Sequence, residues 1–259
     1  MGEFVRLEVE DGVGTIRLDR PPMNVINQQI IEELHDIAIE ATTREDVRAV
    51  VLWGGESVFA AGADVNMMLD MTPHQARPMI IGFQEAYNII EDIPKVTIAA
   101  INGPALGGGL ELSLCADIRY AAENARLGQP EILLGIIPGA GGTQRLPRTV
   151  GVARAKEMIY SGRHLRVDEA KAIGLVNDVF PPDDVYREAV RTAKRYARGP
   201  AVALAAAKTA INYGIRADLR TGLVIEREAF ADLFSTEDQR TGMQTFLEHG
   251  PGRAEFAGR

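Results

Sequence analysis

The chain opens with two stretches in which apolar and polar residues alternate, Phe4–Val9 and Val13–Leu18, separated by Asp11-Gly12. Asp-Gly tolerates the positive φ angles of a tight turn, so the pair predicts a β-hairpin. From Ile26 to Ala41 the period becomes helical: Ile30, Ile31, Leu34, Ile37, Ala38 and Ala41 share one face, with acids on the other. Val47–Trp53 is almost wholly apolar and stops at Gly54-Gly55, the pattern of a buried strand. A second helix is predicted over Pro73–Glu91 and a second buried strand over Val96–Ile101, closed by the turn residues Asn102-Gly103-Pro104. A helix over Gly107–Cys115 and a short strand over Ile118–Ala121 follow. Strands alternating with helices predict an α/β core with helices packed on a sheet.

Beyond about Arg148 the pattern is mostly helical, with candidates at Val152–Tyr160, Val167–Ala172, Asp183–Arg198, Pro200–Tyr213, Asp218–Phe234 and Glu237–Leu247. Gly199-Pro200 divides the chain into a core, residues 1–199, and a helical tail, residues 200–259. The tail has no sheet of its own to cover, so packing on a neighbouring subunit is expected. No repeat of fixed period and no low-complexity tract interrupts this order.

Composition narrows the choice. A chain of 259 residues, 46% hydrophobic and 25% charged, is long enough to bury one large core. A net charge of −8 argues against broad phosphate-backbone binding, so no nucleic acid partner is expected. The single cysteine, Cys115, leaves no disulfide framework and no cysteine zinc cluster, and points to a reducing, cytoplasmic setting. Five lysines among 28 basic residues is the balance of a GC-rich bacterial genome. The N-terminus MGEFVRLEVE carries no secretory pattern. The longest nearly uncharged run, between Lys95 and Asp117, contains Asn102-Gly103-Pro104, three consecutive glycines and Glu111. Each is costly in lipid, so the run reads as buried core and no membrane partner is expected.

Several chemistries lack their signatures. Neither Gly107-Gly108-Gly109 nor Gly139-Ala140-Gly141-Gly142 completes a GxGxxG fingerprint, and no lysine follows a glycine as a Walker A loop requires. No GxSxG elbow is present. His35, His74, His164 and His249 are scattered without metal-ligand spacing, so neither a metal nor a nicotinamide cofactor is expected.

Two carboxylates stand alone in apolar surroundings. Glu111 is the only one between Val96 and Ala116, and Glu131 is the only charge between Arg126 and Arg145. Buried carboxylates have raised pKa values and serve as acid and base near neutral pH. A solvent-facing position on an amphipathic helix also accounts for Glu111. Helix-start chemistry after Pro130 also accounts for Glu131. The glycines before Glu111 add weight to the first reading. A glycine-rich turn opening a helix presents backbone N–H groups to an anion or a developing oxyanion. Side chains lean toward the helix N-terminus, so a residue at i+3 lies close to the amide at i, here Glu111 and Gly108. Close helix–strand packing is the alternative use of those glycines.

These residues resemble the enoyl-CoA hydratase/isomerase (crotonase) family over nearly the whole chain. The resemblance is carried by LDRPPMNVI at 18–26, VFAAGADV at 58–65, INGPALGGGLELSLCADIRYA at 101–121, GQPEILLGIIPGAGGTQRLPR at 128–148 and SGRHLRVDEAKAIGLVNDV at 161–179. It implies a spiral of ββα units with a C-terminal helical region that builds homotrimers, often paired into hexamers. It implies an acyl-CoA thioester substrate whose enolate is stabilised, with coenzyme A as part of the substrate and no separate cofactor. By motif, the oxyanion hole falls on the N–H groups of Ala63 and Gly108, and the two glutamates that handle water fall on Glu111 and Glu131. Ala61, Asp64, Val65, Asn66 and Gly139 are implied to line the acyl-CoA site.

Both glutamates favour the hydratase branch; a Δ3-Δ2-enoyl-CoA isomerase or a non-catalytic acyl-CoA binder are the alternatives. An RNA-binding relative uses a lysine-rich first helix, whereas INQQIIEELHDIAIEATTRED here has no lysine. The sequence departs from the family in two places. The first motif reads RPPMNVI rather than ending in Asn-Ala-Leu, and Asn66 stands where many relatives carry lysine. Arg20 is a candidate for the CoA phosphates. Phe246 and Phe256 either cover the ligand or pack at an interface.

Overall fold

The computed structural model describes residues 2–259. The hairpin forms where the alternation predicts it. β1 (Val5–Glu10) runs antiparallel to β2 (Val13–Leu18), in register from Val5–Leu18 to Glu10–Val13, and Asp11 and Gly12 take φ of 50° and 79° at the turn. α1 (Gln28–Thr43) begins after the apolar period does, because Asn27 caps it by accepting from the Ile30 N–H. Ile26 is left outside the helix, bridged to Ala63. β3 (Ala49–Trp53), a one-turn α2 (Val65–Met68), α3 (Pro73–Asp92) and β4 (Val96–Ile101) follow. Then come β5 (Pro104–Leu106), α4 (Gly108–Ser113), β6 (Ile118–Ala122) and β7 (Arg126–Gly128).

Six strands make the large sheet, in the order β1-β2-β3-β4-β6-β9, where β9 is Asp178–Phe180; all pairs but β1-β2 are parallel. Its central strands are buried on both faces, which is why β3 and β4 read as continuous apolar runs. Val50, Leu52, Ala99 and Ile101 face the main core with α1 and α3. Ala49, Val51, Trp53, Ile98 and Ala100 face Ala189, Ala193 and Ala197 of α8 (Val185–Ala197).

A second sheet of three short strands, β5-β7-β8, with β8 at His164–Arg166, has no counterpart in the hydrophobic pattern. Three residues are too few to show a period. After β3 the chain bridges through Ala60 to Ala105 in β5, which β4 precedes, and β5 pairs with β7, which β6 precedes. The chain therefore winds as a spiral, each turn adding to both layers, which is the crotonase-type α/β architecture.

Between β7 and β8 lie a 3-10 turn (Pro130–Leu134), α5 (Gly142–Val150) and α6 (Val152–Ser161); α7 (Val167–Ala172) follows β8. The last 60 residues fold as α9 (Ala201–Gly214), α10 (Leu219–Asp232) and α11 (Glu237–His249). α9 and α10 bury no residue fully, while Leu219 is 78% and Leu247 83% exposed. Buried Asp238 pins the chain end by accepting from the Ala257 and Gly258 N–H groups. Among the described residues no helix is long and apolar enough to cross a membrane.

Candidate active site

The spiral stacks the segment after β3 against the start of α4, and glycine makes the approach possible. A side chain on Gly109 would run into the Ala60 carbonyl. Gly107, at φ 50°, turns the chain from β5 into α4, and a Cβ there would meet Glu131 Oε1 at 2.9 Å. On Gly108 it would lie 3.6 Å from the Ala63 nitrogen, so the Ala63 and Gly108 residues are neighbours across the two segments. The backbone groups beside them are spent on the backbone: Gly62 O accepts from the Ile26 N–H, Asp64 N–H donates to Ile26 O and Gly107 N–H to Gly128 O. Among the described residues the Ala63 and Gly108 N–H groups have no protein acceptor. Fully buried Tyr87 holds the first turn of α4 by donating to Gly108 O at 2.8 Å.

These residues open on a cavity of about 740 Å³. Ala61, Ala63, Val65, Gly108, Glu111, Glu131 and Gly139 line it, and Met68, Met79, Ile80 and Phe83 supply an apolar wall. Asp64 and Asn66 do not line it. Asp64 caps α2 by accepting from the Asn66 N–H and pairs with Arg20 at 3.2 Å, and Asn66 is exposed. Arg20 is engaged by that carboxylate and by Val25 O. Phe256 packs beside Gly242 on α11, and Phe246 is exposed; neither reaches the cavity.

Glu111 is 3% exposed, so a solvent-facing role is excluded. Its Oε1 accepts from the Gly142 N–H at 2.7 Å, and the Ala140 N–H faces the same carboxylate. Burial pushes its pKa up to about 7, against the pull of those two amides and of the Arg145 charge. Pro130 and Glu131 do start a helical turn, yet the Glu131 side chain also faces the cavity. Burial, with the charge of Glu111 beside it, pushes Glu131 up to about 8. Fully buried Gln129, its amide nitrogen turned to Glu131, donates to both carboxylate oxygens at 2.9 and 3.1 Å.

Gln129, Tyr87, Gly142 and Arg145 escaped the sequence reading. Tyr87 shares the buried face of α3 with Phe83 and Ile90, which marks it as core and not as a hydrogen-bond donor. The other three carry no local signal: Gly142 and Arg145 act through residues 31 and 54 positions away, and the turn of Gln129 toward its near neighbour Glu131 is set by the fold.

The arrangement combines two carboxylates that hold protons near neutral pH with two free amides beside them. Such a set suits proton transfer next to an oxygen that gains negative charge. The comparisons agree with the fold. The profile of the Enoyl-CoA hydratase/isomerase family matches residues 8–257, and the chain belongs to that family. It is 42% identical over 246 residues to the short-chain-enoyl-CoA hydratase of Clostridium acetobutylicum, covering 94% of each chain. It is 40% identical to the crotonyl-CoA hydratase of Syntrophomonas wolfei, covering 95% of each. The crystal structure of an enoyl-CoA hydratase from Bacillus anthracis superposes with a TM-score of 0.93 at 40% identity, covering 99% of this chain and all of that one.

Proposed function

We propose that the protein adds water across the double bond of 2-trans-enoyl-CoA thioesters, giving 3-hydroxyacyl-CoA. The observation that carries this is the pair of buried glutamates on one cavity, one near pKa 7 and the other near 8, beside two unpaired amides. The thioester carbonyl accepts from the Ala63 and Gly108 N–H groups. Glu111, the more readily ionised, takes a proton from water as its oxygen bonds to the β-carbon. The electron pair of the double bond passes to the thioester as an enolate held by the two amides. Glu131, the more firmly protonated, then delivers its proton to the α-carbon from the same side. The apolar wall of Met68, Met79, Ile80 and Phe83 takes the acyl chain.

The names of the relatives in Clostridium acetobutylicum and Syntrophomonas wolfei support a short acyl chain. We also assign the helical tail, residues 200–259, to a homotrimer or a hexamer of paired trimers. The reading is tested with crotonyl-CoA, following loss of the conjugated enoyl absorbance. Wild type is expected to turn over, and Glu131→Gln to lose about 100- to 10,000-fold in kcat while still binding CoA ester. Turnover of Glu131→Gln within a few-fold of wild type would remove Glu131 from the mechanism.

A further inference from the structure

Glu111 does not hold its own position. Its Oε1 is fixed by the N–H of Gly142, the first residue of α5, which the 139–141 loop leads into. Arg145, on the next turn, fastens that loop. Its Nη1 donates to Ala140 O at 3.1 Å, while Nε and Nη2 both reach Glu91 Oε2 on α3, at 3.0 and 2.7 Å. Nη2 also donates to Asn88 Oδ1 at 2.6 Å. The loop folds around the guanidinium so closely that a side chain on Gly141, at φ 118°, would strike Nη1. Arg216, from the turn after α9, shares the same Glu91 oxygen at 3.1 Å. Neither Arg145 nor Glu91 lines the cavity.

The geometry points to the Arg145–Glu91 pair as a clasp that positions Glu111, holding its loop donors against α3 and setting a positive charge behind the carboxylate. This rests on Glu111 acting as the base in the proposed hydration. A fork is needed because one side chain must bind a carbonyl, a carboxylate and an amide oxygen at once, which a lysine ammonium on a flexible stem does poorly. The groups facing Glu111 are few. Tyr87 comes from α3, Glu131 from the 3-10 turn and Arg145 from α5, while Cys115 in the turn after α4 donates Sγ–H to the Glu111 carbonyl. Arg145 is the one cation among them, so its removal leaves the carboxylate facing only neutral or negative neighbours.

The test is a pH profile of kcat/KM for Arg145→Gln, Arg145→Lys and Glu91→Gln. Alongside it, the carboxyl-carbon NMR titration of Glu111 is followed in 13C-glutamate protein, assigned with Glu111→Gln. Arg145→Gln is expected to move both the Glu111 titration and the acid limb to higher pH. It is also expected to lose about 10- to 100-fold in kcat, because a misplaced reacting group costs that order. KM is expected to change less than about twofold, since the clasp touches no substrate. Arg145→Lys restores the titration and part of kcat, and Glu91→Gln lowers kcat with the loop unfastened. If the variants fold as wild type does, and neither the titration nor kcat moves, the clasp is overturned. If wild type fails to hydrate crotonyl-CoA while the Glu111 titration still follows residue 145, the hydratase reading falls and the clasp stands.

Discussion

At the residue scale the division of labour we propose for the glutamates comes from their surroundings. Glu111 is more deeply buried, but two backbone amides and Arg145 favour its charged form, whereas Glu131 has the charge of Glu111 against it. The proposed hydration therefore needs Glu111 ionised and Glu131 protonated. In a pH series with crotonyl-CoA, kcat/KM is expected to fall below about pH 7 and above about pH 8. The limbs belong to the pair, because the two carboxylates feel one another. The same shift has a stability consequence. A glutamate ordinarily near 4.5 that is pushed up to about 7 on folding favours the native state fully below 4.5, and that contribution is lost as pH rises through 7. The loss is about 3 kcal/mol. Glu111→Gln keeps an oxygen for the Gly142 N–H and carries no charge. In urea unfolding it is expected to gain on wild type from pH 5 to pH 9; an unchanged difference would mean that Glu111 is not buried as charge. Isolation in apolar sequence singled out both glutamates but left a solvent-facing or helix-start use open, and their burial on one cavity decides between these. Gln129 and Arg145 gave no such signal, since a polar residue beside Glu131 does not show in sequence that its side chain turns to it, and the partner of Arg145, Glu91, lies 54 residues away.

At the element scale the longer strands and helices were legible, as were the shorter α4, β6 and α7, whereas the three-residue strands were not. α1, α3, β3 and β4 each present enough residues to show a period, and only their ends shifted, as at Asn27, where a cap sets the start. β5, β7 and β8 exist because the spiral brings them side by side, which no three-residue pattern encodes. Gly109 of α4 marks one close approach within that spiral. Gly109→Ala would press a methyl into the Ala60 backbone, so α4 must move. The expected cost is about 1–3 kcal/mol in thermal unfolding. Turnover is expected to fall by about 100-fold, because the Gly108 N–H moves with the helix. Gly82→Ala in α3 makes the contrast. Nothing lies within 4 Å of the new methyl, and helical alanine is favoured over glycine, so a gain of up to about 1 kcal/mol with unchanged turnover is expected. Equal losses from both substitutions would mean that Gly109 is not held against Ala60.

At the scale of the whole molecule the tail is the part that one chain leaves unfinished. α9 and α10 pack against each other yet bury nothing fully, and Leu219, Phe230, Phe234 and Leu247 remain 53–83% exposed. Large apolar side chains concentrated on one helical unit mark an interaction surface. The helical pattern with no sheet to cover pointed to exposed apolar faces, which the structure has; which surface they would meet has no trace in one chain. The assembly we assign therefore has a direct consequence. In sedimentation, wild type is expected as a trimer or hexamer of the 28.1-kDa chain, and the double variant Phe230→Asp, Leu247→Asp is expected to release single chains. Burying one such side chain is worth about 2–3 kcal/mol, so two buried charges at each contact are enough to shift the equilibrium. Turnover is expected to fall with assembly, because Arg216 ties the turn after α9 to Glu91 and so to the loop that holds Glu111. A wild type that sediments as a single chain would remove the trimer, and full activity in dispersed chains would cut the link between tail and site.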